Sequence, residues 1–95
     1  MTGHLTTRFE RIQARLAATL QPLSCQLQDD SAAHAGHAGA ASGGSHYSVK
    51  LVCKQFEGLN RISRHRLVYD AVGDMMHTEI HALAIVALAP SEVPT

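Results

Sequence analysis

The sequence contains no tryptophan, and its only aromatic residues besides histidine are two phenylalanines and two tyrosines in 95 residues. Proteins that bind single-stranded nucleic acid usually stack bases on such side chains. Positive charge is not in excess either, because Lys+Arg 8 balances Asp+Glu 8. A general nucleic-acid binder is normally basic overall. The two shortages argue against that class of protein, although they leave room for a local basic patch.

Cysteines and long apolar runs are also scarce. Cys25 and Cys53 are far apart and form no C-x-x-C pair. The longest apolar run, residues 82–90, is too short to span a bilayer, and the polar N-terminus has no secretory pattern. We therefore expect a reducing, cytoplasmic setting, no disulfide and no membrane partner. Both cysteines fall on apolar-side positions, which favours buried thiols, with Cys53 the less secure because it lies near a strand end.

Motifs of known catalytic machinery are missing as well. The chain has no nucleophile elbow, no P-loop and no pair of carboxylates at a spacing that would form a cleft. We therefore do not expect an enzyme. What the chain does have is seven histidines. Imidazole titrates near neutral pH and binds metal ions, so the histidines are the first candidates for function.

The first half of the chain predicts one helix and two strands. Thr7 and Glu10 fit a capping box that begins the helix, and Pro22 ends it. Apolar and polar residues alternate over 23–28 and again over 47–53, which predicts two half-buried strands that pair as a hairpin.

The stretch 31–45 between these strands contains only Ser, Ala, Gly and His, which is a loop composition. A second helix is predicted to start near Asn60 or Ser63 and to run to about Met76. The nearly continuous apolar run 80–88 predicts a last strand that is covered on both faces, as a parallel crossover strand would be.

These elements predict a single α+β domain over residues 1–95, in the order α-β-β-α-β. A three-stranded mixed sheet would pack against helices on one face. We expect residues 1–6 to be a flexible N-terminus, 31–45 a long flexible loop and 91–95 a C-terminal tail.

Histidines near the predicted loop suggest a metal site. A zinc site usually needs four ligands, and His34-x-x-His37 has no matching second pair. His81 lies at the start of the last predicted strand, and the loop glycines would allow a loop histidine to reach it. Two protein ligands leave a metal half-coordinated, so a partner would have to supply the rest. His46, which opens the second strand, is expected to be structural. The alternative to a metal site is that a loop of small residues merely tolerates histidine.

Basic residues cluster at the start of the second predicted helix. Arg61, Arg64 and Arg66 surround His65, which is consistent with a phosphate-binding patch for DNA or with a plain solvated helix face. A helical wheel places Arg66 outward and Arg64 within the apolar stripe. Arg64 would then lay its stem on apolar surface with its head in water, or contact another protein.

Three groups of residues resemble the BolA family. They are FEGLNRISRHRLVY at Phe56–Tyr69, IHALAI at Ile80–Ile85, and Asp29–Ser31 followed by a histidine and then by Gly-Ser-His-Tyr at 44–47. The resemblance covers about residues 8–92. It implies the order α-β-β-α-β with a short helical turn before the second long helix, similar to a type II KH domain. The G-x-x-G loop by which KH domains clamp nucleic acid is missing here, which weakens an RNA-binding interpretation.

The resemblance also implies a function. BolA proteins pair with a monothiol glutaredoxin, and the two proteins share a [2Fe–2S] cluster that glutathione also ligates. The histidine of I-H-A-L, here His81, would be one ligand, and a loop histidine would be the other. His34 is the best match and His37 the second candidate. The free chain is expected to be a monomer.

The family is also described as transcriptional regulators of stress response and cell shape. That activity implies DNA as the alternative partner, bound through Arg64, His65 and Arg66 with Arg61 beside them.

Overall fold

The computed structural model of the protein describes residues 7–31 and 45–94. Its elements follow the predicted order, with the second helix divided in two. They are α1 (Arg8–Leu20), β1 (Ser24–Asp29), β2 (His46–Val52), α2 (Arg61–Val72), α3 (Met75–Thr78) and β3 (Ala82–Leu88). Within the described residues, no helix is both long and apolar enough to cross a membrane.

Helix α1 begins at the predicted capping box. The Thr7 hydroxyl accepts from the backbone N–H of Glu10 at 3.1 Å, and the Glu10 carboxylate accepts from the backbone N–H of Thr7 at 2.9 Å. The helix ends at Gln21, whose backbone is left-handed with φ 47°, just before Pro22. The chain thus leaves the helix where the sequence predicted. The residues that α1 buries are Ile12, Leu16 and Leu20.

The sheet is mixed, as predicted, with β2 in the centre. Strand β1 pairs antiparallel to β2, with Cys25 opposite Leu51. Strand β3 pairs parallel to β2, with His46 opposite Ala82. Because β2 and β3 run in the same direction, the residues that open both strands lie at the same edge of the sheet.

Helices cover one face of the sheet, and the hydrophobic core lies between the helices and that face. The buried residues of β2 alternate along the strand, as a half-covered strand requires: Tyr47, Val49 and Leu51. The prediction that β3 is covered on both faces is wrong, because Ala82 and Ala84 are exposed and Val86 is 50% exposed. Small alanines on the open face produced an apolar run that imitates a fully buried strand.

The second helix begins where Asn60 caps it, with the Asn60 side chain accepting from the backbone N–H of Ser63 at 2.8 Å. It ends at Val72 and not near Met76, because Gly73 has a φ of 58° that L-residues rarely adopt. A Cβ at Gly73 would also lie 3.0 Å from an Arg15 guanidinium nitrogen. Gly73 therefore separates α2 from α3.

Two 3-10 turns complete the domain. The turn Lys54–Phe56 lies before α2, where the family resemblance implied a short helical turn. The turn Pro90–Glu92 follows β3, so the predicted tail 91–95 begins inside a hydrogen-bonded turn. Glu57 accepts from both the backbone N–H and the hydroxyl of Ser91, at 3.1 and 2.8 Å.

Candidate functional site

Ser45 fixes the segment that carries His81. The Ser45 carbonyl accepts from the backbone N–H groups of His81 at 2.9 Å and Ala82 at 3.1 Å. Its hydroxyl donates to the carbonyl of Glu79. Ser45 is only 5% exposed, and a buried polar side chain is tolerated because it is hydrogen-bonded in this way. The residue that precedes β2 is therefore tied to both sides of His81.

The imidazole rings of His46 and His81 lie side by side at this edge. Their ring centroids are 5.1 Å apart and their planes are inclined by 49°. The backbone of His46 is held by β1 and the residues after it, since its N–H donates to the Ser31 hydroxyl at 3.1 Å and its carbonyl accepts from Asp30 at 2.7 Å. His81 is exposed and His46 is partly buried. Two imidazoles are thus presented together, with one open to solvent.

Of the three histidines predicted as metal ligands, the described residues include His81. His81 lies one residue before β3 begins. His34 and His37 lie outside the described residues. In the part of the chain that the structure describes, no three His, Cys, Asp or Glu side chains come together as a metal site. Any metal bound at His81 would need donors from elsewhere.

His46 is the residue that sequence reasoning left out of the site. It was assigned a structural role because it opens the second predicted strand. The parallel register of β2 and β3 brings it to His81. The signal that could have found it was the predicted parallel pairing itself, since both histidines open a strand of that pair.

The guanidinium of Arg64 is engaged within the protein. Its Nε donates to the carbonyl of Leu59 at 2.8 Å, and Nη1 donates to the carbonyl of Ala87 at 3.0 Å. Nη1 and Nη2 bind both carboxylate oxygens of Glu92 at 2.5 and 3.0 Å. The expectation that the Arg64 head lies in water is wrong, because the side chain is only 12% exposed. Arg64 joins α2, the end of β3 and the turn after it.

The same contact shifts the titration of Glu92. The hydrogen bonds from Arg64, and next the backbone N–H of Ala89 at 2.8 Å, lower the pKa of the Glu92 carboxyl to about 2. They favour the ionised carboxylate.

The other members of the basic cluster differ in exposure, and the outward position predicted for Arg66 is confirmed. Arg61 and Arg66 are exposed on α2, and His65 is partly buried. A phosphate would therefore meet Arg61 and Arg66 more readily than Arg64.

The two thiols lie in the interior or at its margin. Cys53 is fully buried and Cys25 partly buried, so the expectation that Cys53 is the less secure is wrong. Burial raises the pKa of both thiols, which favours the protonated form over the thiolate that binds metals.

Comparison with known proteins gives the fold and the motifs a family. The family model for a BolA-like protein matches residues 16–92, which is most of the chain. The chain belongs to the BolA family. It is 40% identical over 97 residues to the BOLA1 protein of Arabidopsis thaliana, which is named as chloroplastic. The alignment covers 99% of this chain. The solved structure of BolA1 from the same plant superposes with a TM-score of 0.80 over 95% of this chain and 99% of that one, at 41% identity.

Two further relatives carry names that bear on function. The chain is 37% identical over 76 residues to a protein of Escherichia coli named as the DNA-binding transcriptional regulator BolA, covering 80% of this chain and 70% of that protein. It is 39% identical over 94 residues to SufE-like protein 1 of Arabidopsis thaliana, which is named as chloroplastic and mitochondrial, covering 94% of this chain. The chain spans 61% of the length of the plant BOLA1 and 25% of that of SufE-like protein 1.

Proposed function

We propose that this chain is a BolA adaptor that binds a monothiol glutaredoxin and contributes histidine ligands to a shared [2Fe–2S] cluster, in iron–sulfur trafficking or in iron and redox regulation. The observation that carries the proposal is the exposed His81, whose backbone N–H and that of the next residue are bound by the Ser45 carbonyl. A ligand that is exposed and held in place can meet a partner surface without first being ordered.

The donor chemistry of the chain fits such a group. Imidazole is a suitable ligand for iron, and histidine replaces cysteine on one iron of Rieske clusters. His81 would act with a loop histidine, His34 first and His37 as the second candidate. Because the described residues do not assemble three donors, the remaining thiolates would come from glutaredoxin and glutathione. When bound, the cluster would supply one-electron redox chemistry or serve as cargo.

The proposed partners also indicate the compartment in which the chain would act. Glutathione and free thiols belong to reducing compartments such as the cytoplasm. The chain would act by binding and not by catalysis, and it would be a monomer before it meets glutaredoxin. Size-exclusion chromatography with light scattering of the free chain, and then of the mixture with glutaredoxin, would check the two states.

Anaerobic reconstitution tests the proposal. The chain is mixed with a monothiol glutaredoxin, glutathione, iron and sulfide, and the visible circular dichroism spectrum of the purified complex is recorded. His81→Ala should abolish or alter the spectrum of the mixed complex. His77→Ala, an exposed histidine on α3, is the matched control and should leave the spectrum unchanged. A spectrum that is the same in the wild-type and the His81→Ala complexes would show that His81 is not a cluster ligand.

The loop ligand is tested in the same preparation. His34→Ala should change the spectrum more than His37→Ala, and the double variant should change it at least as much as His34→Ala. If neither variant changes it, the loop histidines are not ligands, although His81 could still be one.

A second candidate function is DNA binding by a transcriptional regulator. Two observations favour it: the name of the Escherichia coli relative and the exposure of Arg61 and Arg66 on one helix. If these arginines contact phosphates, replacing each by alanine should weaken binding of a promoter duplex and reduce the slope of log K against log salt by about one. Absence of binding at low salt would exclude this function.

A further inference from the structure

Strand β2 begins with His46, His81 directly precedes β3, and the two imidazole rings lie side by side. Two imidazoles that bind one tetrahedral ion at metal–nitrogen distances of about 2.0–2.1 Å have ring centroids roughly 5 Å apart. The rings of His46 and His81 have centroids 5.1 Å apart. The spacing of the two rings is therefore compatible with one nitrogen of each ring binding a common ion.

The backbone at both histidines is already fixed. His46 begins β2 and is bound on its outer side by Asp30 and Ser31. His81 is bound to the carbonyl of Ser45. Ser45 is the residue directly before His46, so one short backbone segment positions both rings. Ligands held by rigid elements in this way lose less conformational entropy when they bind a metal ion.

Among the described residues, no acidic side chain joins the two histidines as a third metal donor. The nearest acidic residue along the chain, Glu79, pairs with Arg8 at 3.7 Å and with Arg11. Within residues 7–31 and 45–94, no three His, Cys, Asp or Glu side chains come together as metal donors. Two coordination positions of a four-coordinate ion would be left to water or to a donor from another molecule.

We infer that His46 and His81 form a two-imidazole site for a borderline first-row divalent metal ion, of which Zn²⁺ is the prototype. The site belongs to the chain alone and requires neither glutaredoxin nor glutathione. It also assigns a role to His46, which the proposed cluster site does not use. Because His81 belongs to both sites, a bound divalent ion would compete with cluster binding.

An aromatic contact is the alternative explanation of the same geometry. Tilted ring pairs with centroids 4.5–7 Å apart stabilise proteins without any metal ion. The two explanations differ in one respect: only a metal site changes both rings together when the ion is added.

The test uses the full chain with His4, His34 and His37 replaced by alanine, so that the loop and the N-terminus cannot contribute imidazoles. Zn²⁺ is titrated while the ring C–H signals of the histidines are followed by NMR, and Co²⁺ is used as a paramagnetic probe. We expect saturation at one ion per chain, with the signals of His46 and His81 shifting together. Shifts confined to other histidines, or no saturable binding, would overturn the inference.

Variants sharpen this result. His46→Gln and His81→Gln should each abolish saturable Zn²⁺ binding, measured by calorimetry, and His77→Gln should retain it. Zn²⁺ should also raise the melting temperature of the chain in the His77→Gln variant but not in the other two. If either paired variant fails to fold, the ring signals of the chain with both histidines still decide the question. Failure of the glutaredoxin experiment would leave this result untouched, since no partner is present.

Discussion

The two ends of the parallel strand pair β2 and β3 treat their polar side chains in opposite ways. At the end where the strands begin, His46 and His81 lie together and His81 is open to solvent. At the end where β3 finishes, Arg64 is bound by two carbonyls and by the carboxylate of Glu92. The first end, the open end, leaves the imidazole of His81 exposed to solvent. At the second, the closed end, the hydrogen bonds of Arg64 hold the domain together.

This difference shows why a cluster of like residues in a sequence is a poor guide to a site. Arg64 belongs to the densest basic run of the chain, yet its charge is neutralised internally by Glu92, 28 positions later. His46 and His81 are 35 residues apart and look unrelated, but the parallel register joins them. The chemistry available to a partner depends on the register of the strands more than on spacing along the chain.

The largest effect should come from the strand between the two ends. Leu51→Ala removes a fully buried side chain of β2 and should lower the free energy of unfolding by about 2–5 kcal/mol. Lys50→Ala, on the exposed face of the same strand, should change it by less than about 0.5 kcal/mol. Urea denaturation followed by far-UV circular dichroism measures both. Equal effects would mean that the two faces of the sheet are not as different as the structure shows.

Loss of the arginine at the closed end should come next. Arg64→Ala leaves the partly buried carbonyls of Leu59 and Ala87 without this donor, and a carbonyl that loses its partner away from water costs free energy. The urea midpoint should fall clearly, and more than for Arg66→Ala, whose side chain is exposed on the same helix. A smaller effect for Arg64→Ala than for Arg66→Ala would contradict the internal role of Arg64.

A change at the open end should have a smaller global effect and a local one. Ser45→Ala removes the hydroxyl that donates to the Glu79 carbonyl and should cost about 0.5–1.5 kcal/mol of stability. Hydrogen exchange at the His81 amide should become faster, because the segment that carries it is less constrained. Ser48→Ala on β2 is the matched serine substitution. Unchanged exchange at His81 in Ser45→Ala would show that the hydroxyl does not hold this segment.

The smallest effect should be a pH dependence confined to the closed end. The pKa of Glu92 lies at about 2 in the folded chain, below its ordinary value of 4.5. The stability that this carboxylate contributes is therefore present above pH 4.5 and is lost as the pH falls towards 2. Glu92→Gln should reduce the slope of the unfolding free energy against pH in this window.

Two comparisons check this slope. Arg64→Ala should remove the same part of it, and added salt should diminish it because the pair is exposed enough to be screened. A slope that is identical in Glu92→Gln and in the wild-type chain would show that the pair does not form in solution.

Local patterns predicted the order of the elements and several of their ends, but not the contacts of the site. The capping box at Thr7, the stop at Pro22 and the alternation along β2 depend on neighbouring residues, and all three predictions are confirmed. The exposure of one face of β3 depends on which faces the helices cover, and the apolar run alone gave the wrong answer.

The site depends on contacts between distant segments. The contact between His46 and His81 requires the register of β2 and β3, and the burial of the Arg64 head requires Glu92 after the last strand. His81 was a candidate from its place at the start of the last predicted strand, and the family motif supported it. The contacts of the His81 segment with Ser45 and His46 exist only in the folded chain.

The most direct measurement concerns the nitrogen atoms bound to iron. The complex of glutaredoxin, glutathione and this chain is reconstituted with ¹⁵N-histidine in this chain alone, reduced, and studied by pulsed electron paramagnetic resonance. We predict strong coupling to a histidine nitrogen of this chain, which is lost or reduced in His81→Ala and kept in His77→Ala. A complex that forms and shows no coupling to any labelled histidine would contradict the proposal that the open end of the sheet provides the metal ligand.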